Sequence, residues 1–258
     1  MDAQLTIVDV TGSTNDDLLE AGKLGALHGT GLAARAQTAG RGRRGHKWDS
    51  TVGNLLLSIV VRPNVNPAKY SGLAAVCGLA VLKTLEKQGL ATEIDLKWPN
   101  DLVARGRKLG GILVEAARDN EGKPFAVCGI GVNVSYTPSD VPDGGLPAIG
   151  LSDLNESVPS VDTLLDEVYH TVMDAVDAWA EQLNTLAEDV GPLAPVRDGY
   201  IARLNWIGER VIARSPAGDE LARGIFKTVD DFGRANIKTE EGLRSFHFEE
   251  ASLRPMGK

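Results

Sequence analysis

Three consecutive pieces decide how this chain reads: Gly31-Leu32-Ala33-Ala34-Arg35-Ala36-Gln37, then Gly40-Arg41-Gly42-Arg43-Arg44-Gly45-His46-Lys47-Trp48, then Gly53-Asn54-Leu55-Leu56-Leu57-Ser58-Ile59-Val60-Val61. The first predicts a short strand and the third a buried strand, so the basic, glycine-rich piece between them is a loop pinned at both ends. Its three glycines let the backbone take positive φ and approach a ligand closely. From Ala21 to Trp48 there is no Asp or Glu, against six basic residues: Lys23, Arg35, Arg41, Arg43, Arg44 and Lys47. That leaves 21 of the 27 basic residues to face all 35 acidic ones. Short arginine-glycine runs are commonly solvated loops or arms that bind nucleic acid. Held between two strands in an acidic protein, this one reads instead as a site for a specific anion, whose charge would let the cations pack together.

The remaining composition bounds the problem. A chain of 258 residues, 43% hydrophobic, can bury a full core as one large domain, or as one domain with a small companion. A net charge of -8 argues against broad nucleic-acid binding, which needs a positive field over a face. Cys77 and Cys128 lie in apolar runs and read as small core residues. No stretch approaches the roughly 20 apolar residues of a membrane span. Met1-Asp2-Ala3-Gln4-Leu5 lacks the features of a signal peptide, so a cytoplasmic protein without a membrane partner is expected.

Outward from the loop, Leu5 to Val10 predicts a first strand. Gly12-Ser13-Thr14-Asn15-Asp16-Asp17 predicts a helix start, with a hydroxyl as cap and acids in the first turn. Ser13 and Thr14 are therefore caps, unless one hydroxyl faces a polar ligand. A long helix is expected from Pro67 to about Gln88, with Leu73, Cys77, Ala80, Val81 and Leu85 as its buried stripe. Residues 94–103 and 108–115 predict two antiparallel strands joined by a turn at 105–107, and Phe125 to Val134 predicts a third. Proline and glycine mark 135–159 as a long loop. Ser160 caps a second long helix ending near Gly191-Pro192, and a shorter one reaches about Leu204. From Ile207 several short strands alternate with turn signals, which suggests a small barrel. The expected division is 1–206 and 207–258.

In the 94–115 hairpin Asp101 and Lys108 come close to facing each other. That arrangement is either a surface cross-strand ion pair or part of a site. Gly110-Gly111 beside Lys108 opens the backbone to a ligand. The lysine can hold a carboxylate or phosphate, and the carboxylate can hold Mg²⁺ or accept a proton from an amine.

Gly12 to Asn15, Gln37 to Gly45 with Trp48, Lys97-Trp98-Pro99-Asn100-Asp101, Lys108 to Glu115 and Gly129-Ile130-Gly131-Val132-Asn133 stand in an order that resembles the biotin protein ligases over about 120 residues. The seven-residue step from Asp101 to Lys108 is part of that likeness. The resemblance implies an α+β fold of the class II synthetase type. In it a mixed, mainly antiparallel sheet is flanked by helices and followed by a small SH3-like β-barrel. It implies activation of biotin by MgATP to biotinyl-5′-adenylate, then transfer to a lysine on the carrier domain of an acyl-CoA or pyruvate carboxylase. By position, Ser13, Thr14, Asn15 and Gln37 would meet the ureido ring or line its pocket. Gly40 and Arg41 would close on biotin, and Lys108, with Gly111 beside it, would hold the carboxylate. Arg43, Arg44, Trp48, Asn100, Asn133 and Arg254 would serve the nucleotide, Arg43 also as a catalytic charge. Asp101 would assist attack by the carrier lysine; no protein-held metal site is implied. Ligases that double as repressors carry an N-terminal winged helix-turn-helix, whereas these motifs begin by residue 12, so no repressor function is expected. No Trp lies between Trp98 and Trp179, so how residues 135–150 would cover adenine is left open. Lipoate ligases share the broad fold, but their usual Arg-Arg-x-Ser-Gly-Gly-Gly loop is absent here.

Overall fold

The computed structural model describes residues 4–90, 92–138 and 145–256. Residues 139–144 of the loop expected to cover adenine lie outside that range, as do Met1 to Ala3.

Seven strands form the main sheet: β1 Leu5–Thr11, β2 Gly31–Gln37, β3 Leu55–Val61, β4 Ile94–Lys97, β5 Asp101–Ala104, β6 Arg107–Arg118 and β7 Pro124–Val132. Their order is β1-β2-β3-β7-β6-β5-β4. β1 and β2 are parallel, and every other pair is antiparallel. The sheet is therefore mixed and mainly antiparallel, as expected.

The all-buried β3 sits inside this sheet, and the two-residue period of a strand sends its side chains to opposite layers. Leu55, Leu57, Ile59 and Val61 join the core that includes buried residues of helices α2 (Leu73–Lys87) and α3 (Val161–Thr185). Val60 packs on the other face with Leu18 of helix α1 (Thr14–Lys23). Ser58 and Leu56 lie on that second face too, beyond the start of α1, and there the sheet is left open as a cleft floor.

Several boundaries differ from the sequence reading. The segment 94–103 is two strands, because the chain reverses at Pro99, which has no backbone donor, and Lys97 pairs directly with Asp101. The turn after β5 uses Arg105 and Gly106, both left-handed (φ 49° and 71°), which is the hairpin geometry that matches strand twist. The Pro67 helix begins as a tight turn, Pro67–Gly72, and becomes α-helical only at Leu73. This 67–87 segment is long and apolar enough to cross a membrane, contrary to the composition reading, and 67% of its apolar window is buried inside the protein. α3 stops at Thr185, where Leu186 turns extended.

A short helix α4 (Arg197–Ala202) leads to a second sheet of β8 Arg210–Arg214, β9 Glu220–Val229, β10 Ala235–Thr239, β11 Gly242–Phe246 and β12 Ser252–Pro255. Its order is β11-β10-β9-β8-β12, all antiparallel. Among the described residues the edge strands β11 and β12 do not pair, so the expected barrel is an open sheet. One hydrophobic cluster runs from the main sheet into it: Leu96, Trp98 and Tyr200 pack with Val211, Phe226, Ile237 and Leu253.

Candidate active site

Strand register builds the cleft floor. One cross-strand row runs Ser58, Gly129, Leu113, and the next runs Leu56, Gly131, Gly111, Asp101. The cleft over these rows has a volume of about 470 Å³, and every candidate site residue lines it except Gly40.

Glycine is required where the floor meets its neighbours. A Cβ on Gly129 would lie 2.2 Å from Asn15 Oδ1, and one on Gly131 would lie 2.6 Å from the Trp48 ring. These two glycines are seats for Asn15 and Trp48. Gly40, just behind the cleft, has the same function for Ser50 and the Trp48 carbonyl, at 2.2 and 2.7 Å. At Gly111 an added Cβ would make only ordinary contacts, at 3.6 Å, with Asp101 Oδ1 and Lys108 Nζ.

One end of the cleft is neutral and hydrogen-bonded. Ser13 is buried and caps α1, accepting from Asp16 N. Thr14 does more: its N–H donates to Gln37 Oε1 at 2.7 Å, and its one hydroxyl proton is shared between Gln37 Oε1 (3.0 Å) and Ser58 Oγ (2.8 Å). Ser58 donates to Asn15 Oδ1 at 2.6 Å, and Asn15 Nδ2 donates to Glu115 at 2.8 Å. Arg41 closes the edge through Glu115 (3.1 and 2.9 Å) and Asp16 (3.2 Å). Asp16 first, then Glu115, push its pKa further up.

The other end is charged. Asp101 lies between two ammonium groups, Lys108 at 2.8 Å and Lys97 at 3.0 Å. Burial alone would raise its carboxyl, but the charges and hydrogen bonds of Lys108 and Lys97 outweigh that and hold it well below the usual carboxylate range. Burial pulls the Lys97 ammonium down, opposed by Asp101. The Asp101 side chain is only 14% exposed, so its pair with Lys108 is not the surface ion pair that cross-strand geometry alone allows. Lys108 is one-third exposed to the cleft and lies 5.4 Å from the centroid of the Trp48 ring.

The cations of the arginine loop go to separate partners. Arg41 takes the two carboxylates, whereas Arg43 reaches Asn100 Oδ1 (3.0 Å) and the Phe248 carbonyl (2.9 Å). Arg44 reaches the carbonyls of Phe248 and Glu249 at 3.1 and 2.9 Å. Asn133 is buried and commits its amide nitrogen to Ile149 O (3.1 Å), pinning the 147–149 segment that also bonds Lys108 N through Pro147 O (2.7 Å). Arg254 of β12 completes the wall from the second sheet.

This architecture has relatives. Residues 7–133 match the Biotin/lipoate A/B protein ligase family, and 206–254 match the Biotin protein ligase C terminal domain. The chain is 38% identical over 237 residues to the biotin–[acetyl-CoA-carboxylase] ligase of Mycobacterium tuberculosis, an alignment covering 90% of this chain and 82% of that protein. The chain belongs to the biotin protein ligase family. Another member of the family, the biotin–[acetyl-CoA-carboxylase] ligase of Paracoccus denitrificans, is 33% identical, with 90% and 93% of the two chains covered. A solved biotin ligase, that of Aquifex aeolicus in complex with biotin and ATP, superposes with a TM-score of 0.78. It is 26% identical, and 98% of this chain and 99% of that one are covered.

Sequence reasoning assigned no role to Lys97, Ser58, Glu115 or Phe248. Lys97 and Glu115 sit inside quoted motifs, and Ser58 is the single polar residue of an apolar strand, a visible signal. Phe248 is 205 residues from its partner Arg43 and gave none.

Proposed function

We propose that the chain is an ATP-dependent biotin–protein ligase. The observation that carries this reading is one cleft joining a neutral, hydrogen-bonded end to a cationic end. The neutral end suits a ureido ring, and the cationic end suits a carboxylate and a phosphate brought together. The biotin carboxylate attacks the α-phosphorus of ATP, the α–β phosphoanhydride breaks, and pyrophosphate leaves. The carrier lysine then attacks the acyl carbon, AMP departs, and the amine loses a proton.

Thr14, Asn15 and Gln37 hold the ring, with Ser13 fixing the helix start beneath them and Gly40 and Arg41 closing the edge. Lys108, beside Gly111, neutralises the carboxylate and then the acyl phosphate. Arg43 takes charge on the phosphate. Arg44, Trp48, Asn100, Asn133 and Arg254 shape the nucleotide end. Asp101 holds Lys97 and Lys108 in place and assists the carrier lysine. Among the described residues no group of three or more His, Cys, Asp or Glu is arranged to hold a metal. Mg²⁺ enters with the triphosphate of ATP, as part of the substrate.

Residues 1–206 carry the chemistry, and 207–258 form an SH3-like companion. The acceptor is a biotin carboxyl carrier domain of an acyl-CoA or pyruvate carboxylase. A cytoplasmic setting suits the two buried, unbridged thiols Cys77 and Cys128. The test is incubation with biotin, MgATP and a purified carrier domain, followed by mass spectrometry. A biotinyl mass gain on one carrier lysine supports the reading, and no gain with any biotin-dependent carrier domain refutes it.

A further inference from the structure

Arg43 is gripped from two sides. On one, Asn100 Oδ1 accepts from its Nη1, and Asn100 is itself fixed because its Nδ2 donates to Ile112 O at 2.6 Å. On the other, the turn between β11 and β12 offers the Phe248 carbonyl to Nη2 and the Phe248 ring to the guanidinium face, 5.2 Å from the ring centroid. That turn is closed on itself: Glu250 N donates to His247 O at 3.0 Å, and His247 N donates to the Glu250 carboxylate at 3.0 Å. Arg44 fastens to the same turn. A guanidinium has five N–H groups in a planar fork, so two fixed contacts set its plane. Phe248 itself is half-buried against the hydrophobic core and does not line the cleft, whereas Arg43 does.

The geometry points to Phe248 as a positioning residue that fixes the plane of Arg43 for the nucleotide step, so that the second sheet serves adenylation through this ring and its carbonyl. The inference rests on the reading that Arg43 meets phosphate. Phe248 does not line the cleft, and although its carbonyl also accepts from Arg44, its ring meets Arg43, so loss of the ring acts through Arg43. The effect must also fall on adenylation and spare the biotin end, where Thr14 and Gln37 are remote from the turn.

The experiment compares Phe248→Leu, which keeps apolar bulk but removes the π face, with Phe248→Tyr, which keeps both. Phe248→Leu should lower kcat for biotin-dependent pyrophosphate exchange about three- to tenfold, the scale of one lost cation–π contact. The KM for biotin should be unchanged, and Phe248→Tyr should match wild type. In an Arg43→Ala background Phe248→Leu should have no further effect, as a double-mutant cycle requires of residues acting as one unit. An equal loss in that background, or a Tyr variant as impaired as Leu, or a Leu variant with full kcat, overturns the inference. A second arm needs no substrate: limited trypsin digestion should cut after Arg43 and Arg44 faster in Phe248→Leu than in wild type, and equal rates would overturn it. If wild type makes no adenylate yet the cleavage rates differ, the functional reading fails while the grip of Phe248 on Arg43 stands.

Discussion

Asp101 faces Gly111 in the β5–β6 ladder, yet its carboxylate meets the ammonium of Lys108, whose own ladder partner is Val103. The register shift between Leu102 and Val103 accounts for the offset. An irregularity of this kind re-aims a side chain without ending the sheet. It brings Lys108 back along the strand to the carboxylate that also holds Lys97, and leaves it at the cleft.

Lys108→Ala should therefore harm chemistry far more than folding, because its side chain is one-third exposed and makes its ion pair at the cleft. Losing one charged donor there should cost on the order of 2–4 kcal/mol of transition-state stabilisation. Biotin-dependent pyrophosphate exchange reads the loss, and a rate within threefold of wild type would remove Lys108 from the mechanism.

Asp101→Asn removes the charge that holds two ammonium groups, one of them nearly inaccessible. Breaking a buried pair from one side typically costs about 3–5 kcal/mol, so urea denaturation at neutral pH should show a large loss. The sign with pH follows from a folded pKa depressed below the ordinary value of about 3.9. The Asp101 contribution is full above about pH 4 and fades as pH falls from there toward the folded pKa. The gap between wild type and variant should accordingly narrow in acid; a constant gap down to pH 2 would contradict the assignment.

Gly129→Ala and Gly131→Ala should fail differently. The first would displace Asn15 and raise the KM for biotin; the second would displace Trp48 and raise the KM for ATP. Each overpacks a tight contact, at about 1–3 kcal/mol. A change in tryptophan emission is expected in Gly131→Ala only, and matching kinetic profiles for the two variants would disprove the separation.

Trp98→Phe should loosen the join between the sheets. Trp98 is buried and donates through Nε1 to Gly233 O at 2.9 Å. Gly233 is half-buried, so losing this hydrogen bond should cost about 1 kcal/mol. Hydrogen exchange should rise in the β9–β10 turn more than in β1 and β2, and a uniform rise would argue against a local join.

Period and punctuation made the elements of the main sheet legible, because runs such as 55–61 and 125–132 bury on both faces and announce it in composition. The break at Pro99 was less so: Lys97 and Asp101 look like consecutive strand residues until their pairing is seen. Site residues in contiguous motifs could be read, including Asp101 and Lys108, whose side chains meet, although Lys97, the third member of that cluster, was given no role. What sequence order hides is contact across the fold. Nothing in Phe248 advertises Arg43, and the carbonyls that receive the arginine loop belong to a backbone common to every residue. The open edge of the second sheet was equally invisible, since five short strands read alike whether or not they close.

Ser58 carries a further consequence. It is fully buried on a strand whose other six residues are apolar, and it is satisfied only by Thr14 and Asn15 at the start of α1. Were α1 to slide by one turn, its apolar side chains would still find greasy neighbours, but three polar groups would be stranded away from water, at about 1–3 kcal/mol each. A purely apolar β3 would impose no such penalty. The hydroxyl thus acts as a vernier: it discriminates between near-equivalent dockings of the same helix, and the only docking it admits is the one that assembles the neutral end of the cleft.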